Sequence, residues 1–484
     1  MTLARLARRG LLAAGVCTVL LAAALPVAVD RVGVAPRTLA PYIEKRTSGH
    51  NPAIEGTGRR VAAVLMALDR AAGDAPPARL ATLRMDAGAQ AQPAGKDTVG
   101  ITVTTPDDLR AALRTASAGD VITLAPGTYR FLGKGIDVAR AGRADAPIVV
   151  RAARPGTVHI ELETLEGFVV SAPYWRFENL DIRGVCPADD DCEHAFHVVG
   201  AGHHFASINN TIRDFNAHIK INGLGNRYPD DGLIEHTTLT ATHVRRTANP
   251  VTPVDLVTAS GWTLRANLIS DFVKADGNQV SYGAFAKGGG RNNVFERNIV
   301  WCEQALRGLP GQRVGLSLGG GGTGRELCRD GRCITEQEGS VLRANLVVGC
   351  SDAGIYLNGA AASKVVDNTL VDTTGIDVRY PTSSAIVDGN LVDGPVRARD
   401  GAIVHLGENR ATPLWRSYLG SHPVRGLFRA PDMGDFSWRE GVPLRAEADM
   451  ESRPADASDL CGQRRGAPAV IGAFARFSDC LTAR

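Results

Sequence analysis

Eight copies of one short pattern lie between residues 177 and 394, at intervals of 22 to 47 residues. Each copy places an asparagine, or in one copy a histidine, beside a short segment of alternating apolar residues. Repeats of about 20 to 50 residues are typical of solenoids, whose units bury their apolar faces against one another. The shortest intervals fit one coil of a right-handed parallel β-helix, and the longer ones fit coils with inserted loops. The repeated column is Asn179, Asn210, His236, Asn267, Asn298, Asn345, Asn368 and Asn390.

The asparagine column gives a physical reason for this fold. Asparagines stacked at a bend can hydrogen-bond to one another and to the buried backbone of the turn. The tighter Leu-x-x-Leu-x-Leu pattern of leucine-rich repeats is absent. The chain has 54 glycines and only 5% aromatic residues, which is typical of many turns between short strands. The sequence therefore predicts an all-β solenoid, a right-handed parallel β-helix.

A capping helix is predicted directly before the first coil. Thr105 can cap its N-terminus, Pro106 suits its first turn, and two aspartates favour its positive end. Leu109 and Leu113 form its apolar stripe, and a strand follows over residues 121–129. A helix over the open end would shield the core of the first coil.

The N-terminal 29 residues are predicted to be a signal peptide or a membrane anchor. Arg5, Arg8 and Arg9 precede an uncharged, mostly apolar run over residues 10–29. This run reads as a secretory signal, but it is also just long enough to span a bilayer. Both readings place the protein in the periplasm or outside the cell, and the second would anchor it to the inner membrane.

Three further regions complete the predicted organisation. Residues 30–98 are interpreted as a helical spacer and linker, in which Thr57 could cap a helix. Residues 99–410 form the predicted β-helix, and residues 411–484 form a C-terminal cap or tail with a disulfide. The formal net charge is +3, and the first 29 residues supply three arginines and no acid. The remainder is near neutral, which argues against a nucleic-acid partner.

The cysteines indicate an oxidising compartment. Apart from Cys17 there are eight, an even number that suits disulfides, and the spacing of zinc sites is absent. Cys302 and Cys350 follow successive ladder positions, so they should lie on neighbouring coils about 4.8 Å apart, within disulfide range. Cys328 and Cys333 are expected to pair with each other. The alternative for Cys302 and Cys350 is a pair of buried free thiols.

A second strand column precedes the asparagine column in each coil and predicts a surface groove. In its segments alternate residues should point outward, so that side chains on neighbouring coils line up along the helix axis. Lys287 stands out because three glycines follow it and leave room for a ligand. The mixture of cations, amides, carboxylates and aromatics suits an anionic polysaccharide. The predicted substrate-binding residues in this groove are His197, Lys220, Asn222, Asp255, Phe285, Asn358 and Asp377.

The capping helix, the asparagine coils and the segment KGGGRNNVFERNIV resemble the chondroitinase B/alginate lyase group, polysaccharide lyase family 6. The resemblance spans roughly residues 100–409. It implies β-elimination from a uronate, with a lysine base that matches Lys287 and an assisting arginine. Arg307 is nearest to that arginine by spacing and Arg379 by groove position; Tyr356 completes the predicted catalytic set. The resemblance also implies a Ca²⁺ cofactor, and no other cofactor is predicted.

The residues leave three functions open. The first is a lyase that cleaves a uronate-containing polysaccharide, and the second is a scaffold that binds such a polymer without cleaving it. The third is a glycoside hydrolase or epimerase on the same fold. Asp230 and Asp231 could be the carboxylate pair of a hydrolase, although adjacent aspartates beside proline and glycine also suit a turn.

Overall fold

The computed structural model describes residues 26–70, 100–320, 323–441, 443–447, 457–466 and 469–480. Most of the predicted signal or anchor, and the linker after residue 70, lie outside these ranges. The chain divides into two units, Met1–Ala72 with Thr412–Pro423, and Gly73–Ala411 with Val424–Arg484. No helix of the described residues is long and apolar enough to cross a membrane.

The first unit is helical. Residues 26–32 are helical, and the helices α1 (Pro36–Thr47) and α2 (Pro52–Asp69) follow. The second segment of this unit, Thr412–Pro423, contains the short helix α4 (Leu414–Ser417). A buried ion pair joins Arg37 to Asp69 at 2.7 Å. Helix α2 begins earlier than predicted. Asn51 caps it by accepting the backbone N–H of Ile54, and Thr57 lies inside the helix, where its hydroxyl donates to Ala53 O.

The second unit contains a parallel β-helix, which confirms the predicted fold class. Its capping helix α3 (Pro106–Thr115) starts with the predicted cap, Thr105, whose hydroxyl accepts the Asp108 N–H. The Asp108 carboxylate also accepts the Thr105 N–H, which completes a capping box. Leu109 and Leu113 are fully buried. Each regular coil then contributes one strand to each of three long parallel sheets, here named sheets 1, 2 and 3.

The bounds of the strands are as follows. Sheet 1 contains β1 (Gly100–Val103), β2 (Val121–Leu124), β5 (Ile148–Ala152), β8 (Trp175–Glu178), β11 (Ala206–Ile208), β14 (Leu233–Glu235), β17 (Thr263–Arg265), β21 (Val294–Glu296), β25 (Val341–Arg343), β29 (Ser363–Val366), β32 (Ser384–Asp388) and β35 (Ile403–Leu406). Sheet 2 contains β3 (Gly127–Gly133), β6 (Val158–Thr164), β9 (Asp181–Gly184), β12 (Thr211–Arg213), β15 (Thr238–Thr240), β18 (Leu268–Ser270), β22 (Ile299–Trp301), β26 (Leu346–Val348), β30 (Thr369–Val371), β33 (Leu391–Val392) and β36 (Arg410–Ala411). Sheet 3 contains β4 (Ile136–Val138), β7 (Glu166–Val170), β10 (His194–Val199), β13 (Ala217–Asn222), β16 (Val254–Val257), β19 (Val280–Lys287), β23 (Gln312–Leu318), β27 (Ile355–Asn358), β31 (Ile376–Arg379) and β34 (Val396–Arg399).

Two smaller sheets complete the unit. The strands β20 (Gly290–Arg291), β24 (Gln337–Glu338) and β28 (Ala360–Ala361) form a short parallel sheet at the bend between sheets 3 and 1. The strands β37 (Phe428–Ala430) and β38 (Asp435–Trp438) pair antiparallel in the C-terminal region.

The asparagine ladder lies at the bend between sheets 1 and 2. The Oδ1 atom of each ladder asparagine accepts the backbone N–H of the equivalent residue on the preceding coil, as between Asn345 and Asn298 at 3.0 Å. Two members of the predicted column are wrong by one residue: Leu180 and Thr237, not Asn179 and His236, donate these backbone bonds. The ladder residues are Leu180, Asn210, Thr237, Asn267, Asn298, Asn345, Asn368, Asn390 and Asn409.

The misplaced residues have a different role at the same bend. The residue before each ladder position from Leu180 to Asn390 adopts a left-handed conformation, with φ of 60° at Asn179 and 50° at His236. Asparagine and histidine are among the residues that tolerate this region best. A polar residue at either of two adjacent positions therefore satisfies the bend, and the sequence pattern alone does not distinguish them.

The C-terminal region covers the outer face of sheet 2. Alternate residues of this sheet, such as Ile299 and Trp301, point away from the coil core and join a separate apolar cluster. The rest of that cluster comes from the end of the chain and includes Phe428, Phe436 and Phe474. The outer face of sheet 3 instead carries polar and aromatic side chains, among them Lys220, Tyr282 and Lys287.

Four disulfides join the eight cysteines of the described residues, and they confirm the expectation for the pairs that were predicted. Cys302 bonds to Cys350 with a Cα–Cα distance of 4.9 Å, and Cys328 bonds to Cys333. The other pairs are Cys186–Cys192 and Cys461–Cys480. Disulfides persist in oxidising compartments, so these four are typical of an extracellular or periplasmic protein.

Candidate functional site

The strand register aligns the predicted groove residues in two neighbouring files along the outer face of sheet 3. His197 pairs with Lys220, and Lys220 pairs with Asp255 on the next coil. The file continues through Phe285, Ser317 and Tyr356 to Asp377. Lys287 and Arg379 occupy the neighbouring file, two residues further along their strands.

In the N-terminal part of this face the charges neutralise one another. The Lys220 ammonium is 2.6 Å from the Asp255 carboxylate, which is almost fully buried. The His197 ring contacts the Glu166 carboxylate at 2.8 Å and Asn222 Oδ1 at 2.7 Å. His197, Lys220, Asn222 and Asp255 thus already have partners within the chain, and a substrate would have to compete with these contacts to bind them.

Lys287 lies in the middle of the face and has a different environment. Its side chain is half-buried, and its ammonium is 4.5 Å from the centre of the Phe285 ring. The Tyr282 ring packs edge-on against Phe285, at 5.4 Å between centroids. Within the described part of the chain, no carboxylate forms an ion pair with Lys287. An ammonium held by an aromatic ring and without a counter-ion is available to an anionic ligand.

Phe285 itself does not offer a surface for a sugar ring. Only 4% of the residue is exposed, because Tyr282 and Lys287 cover it. The Phe285 ring instead packs against the side chains of Tyr282 and Lys287 and supports them. Ser317, the next residue in the file, is fully buried and donates to Gly319 O.

A glycine turn and a carboxylate lie beside Lys287. A side chain at Gly320 would come within 3.3 Å of the Lys287 side chain. The carboxylate of Glu336 accepts the Gly320 N–H at 3.1 Å and the Thr323 hydroxyl at 3.0 Å. Glu336 was not predicted as a site residue. It is supplied by the long insertion between two ladder positions, where the repeat spacing gives no register.

The same insertion also packs against the segment that follows Lys287. The loop closed by Cys328–Cys333 places the backbone N–H of Arg329 2.9 Å from Gly288 O. The Arg329 guanidinium forms a bidentate ion pair with Asp230, at 2.7 and 2.8 Å, and covers the Tyr228 ring. Asp230 is thus a structural partner of Arg329, and this pairing explains the acidic turn without a hydrolytic role.

The C-terminal part of the face holds a second polar cluster. The hydroxyl of Tyr356 accepts a hydrogen bond from Asn358 Nδ2 at 3.1 Å. Burial raises the pKa of Tyr356, and a hydrogen bond from Arg379 opposes that rise. The Arg379 Nε donates to Asp400 at 2.5 Å, and this bond raises the pKa of the guanidinium. Asp377 is paired in turn with Arg399 and Arg397.

The predicted catalytic residues Lys287, Tyr356 and Arg379 all lie on sheet 3, but on coils that are separated along the axis. Tyr356 lies two coils after Phe285, and Arg379 lies three coils after Lys287, which corresponds to about 10 and 14 Å along the axis. Arg307 does not belong to this face. Its guanidinium donates to Asp432 O in the C-terminal region, because it follows a strand of sheet 2 and not of sheet 3.

The described residues do not fit a calcium site. They contain no group of three or more histidine, cysteine or acidic side chains arranged to hold a metal ion. Asn278, which precedes β19, accepts hydrogen bonds from Lys274 Nζ and Val280 N–H and so is held by the chain itself. The carboxylates of Asp255 and Asp377 already form ion pairs with the side chains of Lys220 and Arg399.

Comparison with known proteins identifies the fold. No family model and no curated protein matches the chain. Among solved structures, pectate lyase Pel9A is similar with a TM-score of 0.51 and 15% identity, over 79% of this chain and 98% of that chain. The chain shares the fold of this pectate lyase. A rhamnogalacturonan lyase gives a TM-score of 0.44 at 13% identity, over 65% of this chain and 87% of the other. A mannuronic-acid-specific family 6 lyase from human gut microbiota gives 0.36 at 15% identity, over 65% and 82%.

Proposed function

We propose that the protein is a polysaccharide lyase that cleaves a uronate-containing polymer by β-elimination on the outer face of sheet 3. The observation that carries this proposal is Lys287, an ammonium without a counter-ion among the described residues, beside an aromatic pair and a glycine turn. The pectate lyase fold supports the proposal but does not determine the chemistry, because one fold hosts many activities.

Lys287 is proposed as the base. In β-elimination a base removes the C5 proton of a uronate residue, the C4–C5 double bond forms, and the C4–oxygen bond breaks. The neutral amine of Lys287 can accept this proton, since general bases act through a side chain placed within hydrogen-bond reach. Gly320 lies beside the Lys287 side chain and has no side chain of its own, which leaves room for a sugar ring to approach the amine.

The Arg379 cluster is proposed to bind the polymer away from the cleaved bond. Only the Nε atom of Arg379 donates to Asp400, and guanidinium groups have four further N–H donors. Arg379 and Tyr356 can therefore bind a carboxylate or hydroxyl of a neighbouring sugar. The distance of about three coils from Lys287 separates this binding role from proton transfer.

A scaffold that binds the same polymer without cleavage is the second candidate. The paired charges Lys220–Asp255 and Arg379–Asp400 favour it, because these groups are held by partners within the chain. For either function we propose that the N-terminal segment directs export to the periplasm or the cell exterior, where it is cleaved or retained as an anchor. The four disulfides support export.

The experiment that tests the proposal is a substrate panel of alginate, chondroitin, dermatan and pectin. Wild-type protein should produce unsaturated uronate ends, detected by ultraviolet absorbance, on at least one polymer. Lys287→Ala should abolish this signal. The matched control is Lys364→Ala, because Lys364 is an exposed lysine on sheet 1 of the same solenoid. Binding to a polymer without any unsaturated product from the wild type would support the scaffold and overturn the lyase.

A further inference from the structure

We infer that Tyr282 is a catalytic residue of this site, the acid that protonates the departing sugar oxygen when the polymer is cleaved. This inference rests on the proposed lyase function and adds the group that the sequence did not indicate. Lys287 can remove a proton, but a sugar alkoxide is a poor leaving group. A second side chain that donates a proton is therefore needed at the same bond.

Tyr282 lies on the same strand as Lys287 and on the same outer surface. Both residues belong to β19, and both contact the Phe285 ring, the tyrosine at 5.4 Å between centroids and the ammonium at 4.5 Å from the centroid. Phe285 is buried beneath them and fixes their separation. A sugar residue that lies across the Tyr282 and Lys287 side chains, with Phe285 buried beneath them, would contact both the amine and the phenol.

The Tyr282 hydroxyl is free to act on a ligand. Its side chain is half-buried, and no described residue forms a hydrogen bond with the hydroxyl. The hydroxyl is also absent from the polar atoms that are buried without a partner, so it reaches solvent. The hydroxyl oxygen of Tyr356, in contrast, accepts a hydrogen bond from Asn358. Of these two tyrosines, Tyr282 is the one whose ring packs on Phe285 together with the Lys287 ammonium.

The surroundings keep this hydroxyl protonated. Burial raises the pKa of Tyr282 to about 12, and the nearby groups Tyr356, Asp352 and Glu336 act in the same direction. At neutral pH the phenol therefore holds its proton until negative charge develops on a neighbouring oxygen. That condition arises at the leaving oxygen as the C4–oxygen bond breaks.

The proposed step conserves protons and electrons. The amine of Lys287 takes the C5 proton, and the C5–H electron pair becomes the C4–C5 double bond. The C4–oxygen electron pair goes to the leaving oxygen, which takes the proton of Tyr282. The resulting ammonium and phenolate return to their starting forms by net proton transfer through solvent. No oxidant, reductant or co-reactant is required.

The test compares substrates whose leaving groups do and do not need a proton. Tyr282→Phe removes only the hydroxyl. On the polymer that the wild type cleaves, kcat should fall by about 10²- to 10⁴-fold, the usual contribution of a general acid. On a synthetic hexuronoside with fluorine at C4, in the configuration of that polymer, the variant should retain wild-type activity, because fluoride leaves without a proton. Exchange of the C5 proton with deuterated solvent should also continue in the variant.

Three outcomes are informative in different ways. Equal losses on the polymer and on the fluoride would overturn the role of Tyr282 as an acid and indicate that it positions the substrate. Unchanged polymer cleavage by Tyr282→Phe would also overturn it. Tyr174→Phe, which alters a half-buried tyrosine at a distant bend, is the control and should behave as wild type. Absence of elimination by the wild type on any polymer or fluoride would reject the lyase function itself.

Discussion

The Lys287 ammonium lies 4.5 Å from the centre of the Phe285 ring, and Phe285 is almost completely buried. The ring thus serves as a support that holds the amine on the outer surface of β19. Contacts of this kind contribute about 0.5–1 kcal/mol at exposed sites. We expect Lys287→Ala to lower the free energy of unfolding by no more than about 1 kcal/mol. A denaturant titration of the variant checks this, and a larger loss would mean that Lys287 has a structural role and that its effect on activity is indirect.

The asparagine ladder should dominate the stability of the central coils. Asn345 is fully buried, accepts from Asn298, and donates to Phe295 O and Asn368 Oδ1. Each buried polar group that loses its partner costs about 1–3 kcal/mol. Asn345→Ala should therefore destabilise the protein by about 3 kcal/mol or more in urea unfolding.

Asn409 provides the control for the ladder. It ends the described ladder and is only half-buried. Asn409→Ala should lower the free energy of unfolding by about 1 kcal/mol, the usual net contribution of a hydrogen bond that water can replace. Equal losses at Asn345 and Asn409 would show that burial of the ladder does not determine its contribution.

The Cys302–Cys350 disulfide should stabilise more than the Cys328–Cys333 disulfide. The first spans 48 residues and the second only 5. The chain-entropy estimate gives about 4 kcal/mol for a loop of the first size and about 2 kcal/mol for the second. Replacing each pair by alanine and comparing unfolding free energies tests the order. A larger loss from the Cys328/Cys333 pair would contradict it.

Acid should destabilise the protein partly through His218. Burial lowers the pKa of this fully buried histidine from 6.5 to about 4, with Arg245 contributing in the same direction. The unfolded chain binds the proton at a higher pH than the folded chain. The contribution of neutral His218 to the free energy of unfolding is therefore full above about pH 6.5 and is lost as the pH falls toward 4. The loss is on the order of 3 kcal/mol.

His218→Gln separates this effect from other titrations. Glutamine can keep the donor to Thr240 O, which His218 Nε2 contacts at 2.8 Å, but it does not titrate. Unfolding free energies measured from pH 7 to pH 4 should fall less steeply in the variant. An identical slope in both proteins would assign the acid sensitivity to other groups, of which His194 also has its pKa lowered by burial to about 4.

The Arg379–Asp400 pair should limit the affinity for an anionic polymer. Asp400→Asn removes the carboxylate that competes with the ligand for Arg379. Exposed ion pairs are weak, so binding should tighten only a few-fold and should depend more strongly on salt. Asp145→Asn, at the exposed pair with Arg143, should leave binding unchanged. Weaker binding by Asp400→Asn would place Asp400 itself among the ligand contacts.

The sequence predicted the coils well and the site only in part. The period-two alternation of short strands gave the outward file from His197 to Asp377, because parallel strands in a solenoid keep a regular register. It could not show that Phe285 is covered or that Lys220 and Asp255 neutralise each other, since these depend on side-chain conformations. Glu336 and Arg329 were missed because the insertion between Asn298 and Asn345 has no repeat. Tyr282 precedes the aligned column, and nothing in its spacing distinguishes it from a strand-end tyrosine.

The central claim is that the outer face of sheet 3 cleaves its polymer by elimination with Lys287 as the base. Mass spectrometry of products formed in heavy-oxygen water tests it most directly, because elimination adds no water whereas hydrolysis adds one molecule per cut. The account predicts unsaturated oligosaccharides without heavy oxygen from the wild type and from Lys364→Ala, and no oligosaccharides from Lys287→Ala. Saturated fragments carrying heavy oxygen, or unsaturated fragments still formed by Lys287→Ala, would contradict it.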